Sequence, residues 1–219
     1  YSYTQPECVN VLEIIDIAFL DIDMPGMNGI TLAKNLRLVQ PRAVIIFVTN
    51  FIQYAPEGYE VKAFRYLLKS DISNISTTFE EFDYENFKSC IDLILAARKV
   101  IIIGFRTTSL LTEHLGYYLN LILDNVKVVN YGVSDIYEDL IRLNEKDVVI
   151  AISFPRYAQK TYEAVEFLGE KGVKIIAISD NENAPINEFT EYRLIAKSNV
   201  YSFVDSLVAP LSLINALVI

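Results

Sequence analysis

Two segments of this chain carry residues suited to binding an anion. The first is Gly104-Phe105-Arg106-Thr107-Thr108-Ser109 and the second is Ser153-Phe154-Pro155-Arg156-Tyr157. An arginine guanidinium is a planar fork of N–H groups that grips an oxyanion through two parallel hydrogen bonds. The hydroxyls of Thr107, Thr108, Ser109 and Ser153 add neutral donors. Gly104 permits a sharp turn, and a helix starting directly after it offers unpaired N–H groups and a partial positive charge. This is the chemistry of a phosphate site. Other uses remain open: a Thr/Ser cluster before a helix also serves as a cap, and Arg156 with Tyr157 also suits a solvated arginine beside a ring that covers the core. Asp180, in Ser179-Asp180-Asn181, can accept from sugar hydroxyls or close the following turn. His114, the single histidine, sits in a helical pattern that favours a structural or solvated role over general-base work. With one histidine and two distant cysteines, Cys8 and Cys90, no transition-metal cluster is expected. Glu113 and Glu163 fall on expected helices near the same edge, but nothing marks either as a catalytic base.

Strands must bring these segments together. Residues 99–104, 126–130, 147–153 and 173–179 are apolar runs rich in Val and Ile, with a weaker strand at 192–196. Helical spacing occupies 108–123, 136–143, 158–171 and the stretch from Val204 onward, and a further helix runs from 84 to 98. Strands alternating with helices form an open, doubly wound parallel sheet, which binds ligands beyond the carboxyl ends of its strands. A smaller strand–helix alternation precedes it: an apolar run at 17–21, helical spacing over 30–38, a continuous β-branched run at 44–48 that suits a strand buried on both faces, a polar stretch at 54–62, and a strand at 64–68. Residues 71–78 (DISNISTT) are polar and aperiodic, which places a seam there. The expected domains are residues 1–70, a linker and helix at 71–98, and residues 99–219.

Composition narrows the function classes. Hydrophobic residues are 52% of the 219, enough for a packed core, and the formal net charge is −9. An acidic chain repels the phosphate backbone, so a broad nucleic-acid face is not expected, and DNA contact would need a separate module. Two cysteines are too few for a disulfide framework and fit a reducing, cytoplasmic setting. No secretory leader is visible. The apolar run 204–219 is shorter than the ~20 residues of a membrane span and contains Asp205, Ser206, Ser212 and Asn215. A buried or interface helix is expected instead. The abrupt ends at Tyr1 and Ile219 suggest missing termini.

The stretches 97–104 with Arg106 to Ser109, 147–154 with Arg156 and Tyr157, 172–180 with Ala184-Pro185, and Ser202-Phe203 with Asp205-Ser206-Leu207 resemble a sugar isomerase (SIS) domain. Residues from about 75 to 219 resemble the effector domain of the RpiR/MurR transcription regulators. The resemblance implies a phosphorylated sugar bound by Gly104, Arg106, Thr107, Thr108, Ser109, Ser153, Arg156 and Asp180, in a homodimer, with occupancy controlling DNA binding. SIS isomerases carry a Ser-x-Ser-Gly-x-Thr phosphate loop. Here Ser153 is kept, but Pro155, Arg156 and Ala158 replace Ser, Gly and Thr. Hydroxyls are exchanged for an arginine, which favours binding over isomerase turnover, the alternative function. The helix-turn-helix domain with which these regulators begin is missing from the sequence. The helix at 108–123 and the C-terminal helix are expected to serve as dimer surfaces.

Residues 21–29 (DIDMPGMNG) resemble the phosphoacceptor loop of a response-regulator receiver, and Asn50, Tyr54, residues 57–61 and Ala63-Phe64 are similar to receivers of the LytTR type. The resemblance implies that Asp21 accepts a phosphoryl group, that Thr49 hydrogen-bonds it and that Lys69 pairs with its charge. Mg²⁺, needed only if the receiver is active, would take Asp21 and Asp23. The residues before Asp16 are too few for a first strand ending in an acidic pair, and Glu7 and Glu13 do not follow an apolar run. A weakly active or inactive receiver remnant is therefore expected. The fold expectation is two tandem α/β/α layers: a partial, flavodoxin-like receiver sheet, then a five-stranded parallel SIS sheet.

Overall fold

Residue alternation decides how much of each sheet is covered. The computed structural model describes residues 14–130, 136–199 and 205–219. Glu7, Cys8, Glu13, Ser202 and Phe203 lie outside them. The chain divides into two units, Tyr1–Ser73 and Asn74–Ile219.

The first unit has three parallel strands, β1 (Ile17–Leu20), β2 (Val44–Thr49) and β3 (Arg65–Leu68), in the order β1-β2-β3. Helices α1 (Gly29–Val39) and α2 (Ala55–Glu60) form the crossovers. Leu20, Ile45 and Phe47 meet Ile30, Ala33 and Leu36 of α1 in one apolar cluster. On the opposite face Ile17, Phe19 and Leu67 are exposed. Thus β2, expected to be buried on both sides, is fully buried on one only, with Val44, Ile46 and Val48 partly open. The polar stretch at 54–62 contains α2 despite Pro56, which stands at the helix start where a missing N–H is harmless. Arg37 ties this unit together, donating to the carbonyls of Pro41 at 2.7 Å, Ala43 at 2.8 Å, and Val61 and Lys62 at 3.2 Å.

Residues 71–78, expected as an aperiodic seam, are helical and lie within α3 (Lys69–Glu80). Its buried residues are Asn74 and Thr78. Asn74 Nδ2 donates to Asn199 O and to Ser206 Oγ, and its Oδ1 accepts from Asn199 N. Thr78 Oγ1 donates to Asn74 O and accepts from Lys197 N. A helix that buries polar side chains in satisfied hydrogen bonds gives no apolar period.

The second unit continues with α4 (Tyr84–Ala96), β4 (Val100–Ile103), α5 (Ser109–Ile122), β5 (Val126–Val129), α6 (Ile136–Leu140), β6 (Val148–Ile152), α7 (Gln159–Glu170), β7 (Lys174–Ser179), β8 (Tyr192–Ile195) and α8 (Val208–Ala216). All five strands are parallel, in the order β5-β4-β6-β7-β8. Every residue of β4 and β6 is buried, as a parallel sheet covered on both faces requires. Ile102, Ile150, Ile152, Ile176 and Ile178 pack with α4, α5 and α8. Ile101, Ile103, Val149, Ala151, Ile175 and Ala177 pack with α6 and α7. The α/β architecture with a small three-stranded and a larger five-stranded parallel sheet is the expected fold class. The helix expected from Val204 starts at Val208, and the one expected over 136–143 ends at Leu140. No helix among the described residues is long and apolar enough to cross a membrane.

Candidate functional site

From β4 the chain winds to β5 on one side, and β6 then pairs on the other side of β4. The carboxyl ends of β4 and β6 therefore flank the point where the winding reverses, the place where open α/β sheets leave a crevice. The loop after β4 begins with Gly104. A Cβ there would lie 2.8 Å from Thr112 Cγ2, 2.9 Å from Thr108 Oγ1 and 3.0 Å from Ile152 O, so only glycine lets the two strand ends come this close. The loop after β6 begins with Ser153, whose N–H continues the ladder to Ile178 O at 3.0 Å.

The loops converge. Arg106, Thr107, Thr108, Ser153, Arg156 and Ala158, with Phe105, Phe154 and Pro155, line a cavity of about 80 Å³. That is small beside the ~300–1,000 Å³ of pockets for whole drug-sized ligands. It suits a compact anionic group with the remainder of a ligand outside. Ser153 is 2% exposed, and its Oγ is buried without a hydrogen-bond partner. Arg106 and Arg156 both hold left-handed backbone, at φ 66° and 70°. This conformation is uncommon away from glycine and costs on the order of 1–3 kcal/mol. It occurs once in each of the two loops.

The hydroxyls differ in what they do. Thr108 and Ser109 are buried, and their hydroxyls donate to the carbonyls of Phe105 and Arg106 at 2.9 and 2.7 Å. These bonds brace the loop, and Thr108 also lines the cavity. Thr108 does not cap α5 with its side chain, and Ala158 gives α7 no side-chain cap. Thr107 and Arg106 are exposed, and among the described residues Arg106 forms no ion pair. Arg156, expected to face an anion directly, is paired with Asp205. Asp180, at the end of β7, does not line the cavity. Its Oδ1 accepts from Tyr157 Oη at 2.8 Å and its Oδ2 from Asn181 Nδ2 at 2.7 Å. Burial and this carboxylate together raise the Tyr157 hydroxyl above the usual tyrosine range.

Several other groups are held by hydrogen bonds or burial. His114 Nε2 meets Asn215 Oδ1 at 2.8 Å, tying α5 to α8. Glu113 accepts from Asn130 at 2.8 Å and Glu163 from Gln159 at 3.2 Å. Cys90 is fully buried, and burial first, then Asp83, pushes its thiol up to about 12, which makes it inert at neutral pH. A pair that residue spacing did not single out lies at the amino-terminal edge of the large sheet: Arg98 Nε and Nη2 donate to Asp147 Oδ1 and Oδ2 at 2.9 and 2.6 Å, and Asn144 N–H adds a third bond at 2.9 Å.

In the first unit Asp21 follows β1, Thr49 ends β2 and Lys69 follows β3. Parallel pairing brings all three together. Lys69 Nζ stands 2.5 Å from Asp21 Oδ2, and Asp23 N–H donates to Oδ1 at 3.4 Å. Partial burial raises the Asp21 carboxyl, but hydrogen bonds from Lys69, Thr49 and the Asp23 backbone outweigh it and leave the group below the ordinary carboxylate range. A Cβ on Gly29 would fall 2.0 Å from Asp21 O, so the loop can close over Asp21 only with glycine there. Asp23 is exposed. Among the described residues no three acidic, histidine or cysteine side chains gather as a metal cluster. One or two carboxylates with water completing the shell is nevertheless a donor set that Mg²⁺ accepts.

Comparison with known proteins agrees with both units. The family profile described as SIS domain matches residues 93–219, and the one described as response regulator receiver domain matches residues 7–80. An uncharacterized HTH-type transcriptional regulator of Clostridium perfringens is 25% identical over 175 residues, 77% of this chain and 60% of that protein. The chain thus spans about three-fifths of the length of that relative. Among solved structures, the sugar isomerase domain of the RpiR transcription factor from Sphaerobacter thermophilus aligns with a TM-score of 0.65 at 26% identity, over 68% of this chain and 83% of that one. The Vibrio vulnificus NanR protein complexed with ManNAc-6P shares the fold at a TM-score of 0.59 and 16% identity, over 68% and 58%. Because the SIS profile covers more than half of the sequence, and covers the very strands that frame the Arg106–Ser153 cleft, the chain belongs to the SIS domain family.

Proposed function

We propose that this chain is the effector-sensing part of a bacterial transcription regulator of the RpiR/MurR type, and that its SIS domain binds a phosphorylated sugar. The observation that carries the reading is the cavity that Ser153 lines together with two left-handed arginines, where the Ser153 hydroxyl is buried without a hydrogen-bond partner. A buried hydroxyl without a hydrogen bond is costly, and a phosphate oxygen would relieve that cost. Arg106 would supply the charge-assisted bond, Thr107 a second hydroxyl, and Asp180, outside the cavity, would meet hydroxyls of the part of the sugar that projects from it. The NanR structure supports the ligand class by likeness of fold. Among the described residues that line the cavity none is a carboxylate or histidine base, which favours sensing over isomerase turnover.

The partner would be a second copy of the chain, docked along Leu110, Tyr117 and Leu121, which form an exposed stripe on one side of α5. Contact with DNA would be made by a module outside these 219 residues, in the cytoplasm. The decisive experiment is a thermal-shift screen of phosphosugars, N-acetylmannosamine 6-phosphate included, with Arg106→Ala and Arg156→Ala as controls. A raised midpoint that Arg106→Ala abolishes, without conversion of the sugar, supports the sensor. Turnover would replace it with the isomerase, and silence across the panel removes it.

The Lys69–Asp21 contact favours a second role, as a LytTR-type receiver. Asp21 would attack the phosphorus of a phosphodonor while the donor's leaving group departs with its electron pair. Lys69 and Thr49 would hold the transferred group. Asp21 and Asp23 would hold Mg²⁺, which when bound neutralises charge on the phosphoryl oxygens. Treatment with acetyl phosphate and Mg²⁺ should add one phosphoryl mass to the protein and none to Asp21→Asn, and an unmodified protein would refute this role.

A further inference from the structure

We infer that Asp205 is a built-in competitor for the anion: its carboxylate occupies the guanidinium that a ligand phosphate would use, and so sets the affinity of the cleft. This inference rests on the phosphosugar-binding reading of that cleft. Arg156 Nη2 donates to Asp205 Oδ1. The Asp205 side chain is 13% exposed and that of Arg156 59% exposed, so the guanidinium is open to an incoming anion while its counter-carboxylate is largely covered. Ser206, next to Asp205, is anchored. Ser206 Oγ accepts from the buried amide of Asn74 at 3.3 Å, and Ser206 O accepts from Ser198 Oγ at 2.8 Å.

The two arginines of the cleft are therefore alike in backbone and unlike in occupancy. Arg106 forms no ion pair among the described residues, whereas Arg156 already has its counter-charge. A phosphate monoester carries nearly two negative charges near neutral pH and several acceptor oxygens, so it can displace a single carboxylate from a guanidinium. A ligand group with only one negative charge gains little from the exchange. Neutralising Asp205 frees Arg156 and removes repulsion between its carboxylate and an incoming phosphate. Both effects tighten binding.

Titration calorimetry of the full chain with inorganic phosphate and with N-acetylmannosamine 6-phosphate tests this. Asp205→Asn should bind either probe roughly 1.5- to fivefold more tightly than wild type, the range of a partly exposed ion pair. In an Arg156→Ala background the same substitution can act only by removing the carboxylate's repulsion, so the part of the gain that comes from freeing the guanidinium should be lost. In otherwise wild-type protein, Arg156→Ala should weaken phosphate binding less than Arg106→Ala does, because the guanidinium it removes is already engaged. That comparison does not need Asp205→Asn to fold, and Asp205→Ser supplies a second neutral variant. Unchanged or weaker binding by both Asp205 variants, with wild type binding normally, overturns the competitor role. If neither wild type nor any variant binds either probe, the phosphosugar reading itself fails and this inference falls with it.

Discussion

Replacing Ser153 with alanine should stabilise the empty protein and weaken its ligand binding. The hydroxyl is buried at the end of β6, with no hydrogen-bond partner. Leaving a buried donor unmet costs on the order of 1–3 kcal/mol. Alanine keeps the Cβ and the backbone N–H bond to Ile178, and removes only the oxygen. Allowing for the lost packing of one atom, a gain of about 0.5–1.5 kcal/mol is expected, or ~1–6 °C in melting midpoint for a chain of this size. With ligand present the sign should reverse, since a hydroxyl bonded to a charged oxygen is worth about 1.5–3 kcal/mol, or roughly ten- to more than a hundredfold in affinity. Scanning calorimetry of both proteins, with and without phosphosugar, reads both effects in one experiment. A Ser153→Ala protein that melts below wild type would mean that the hydroxyl is satisfied in the empty state, and the argument for a vacant phosphate contact would collapse.

Other consequences can be checked by unfolding. Gly104→Ala forces a Cβ against Ile152 O and two side chains of α5 and its preceding turn, and should cost about 1–3 kcal/mol in urea denaturation. Arg37→Ala leaves four carbonyls of the first unit without their donor and should destabilise that unit by roughly 1–3 kcal/mol, and lysine should not restore it because it lacks the fork. The Asp147 carboxyl is held low. Burial pushes it up, but bonds from Arg98 and Asn144 N–H, with the charges of Arg98 and Lys99, pull it further down. A lowered folded value contributes stability that is complete above the unfolded value of about 3.9 and is lost as pH falls through the folded one. Melting midpoints of wild type and Asp147→Asn should therefore differ most near neutrality and converge in acid. A constant gap down to acid pH would show that the charge is not what matters.

The large sheet was legible because its central strands are runs of Val, Ile and Ala too apolar to lie anywhere but between layers, as at 100–103 and 148–152. The same logic put two strand ends bearing arginine and hydroxyls on one edge of the large sheet; only the strand order shows that they lie on neighbouring strands at a winding reversal. Other features were hidden for identifiable reasons. The helix across 71–78 buries Asn74 and Thr78, so an apolar periodicity cannot reveal it. The left-handed backbone at Arg106 and Arg156 leaves no mark, because neither position is glycine. The grip of Asp205 on Arg156 joins residues 49 apart, and nothing local encodes it. The Arg98–Asp147 pair did have a signal: each residue stands just before a strand, 49 apart, on strands that prove to be neighbours.

The polar clasp formed by Asn74 and Thr78 determines where this protein can be cut. The SIS profile begins at residue 93, and an expression fragment started there would omit both side chains. The amides of Lys197 and Asn199 would lose their acceptors, and Ser206, next to Asp205, would lose its amide donor. Such a fragment would keep every strand of the large sheet and still misrepresent the anion cleft, whereas one that retains residue 74 keeps the lock intact.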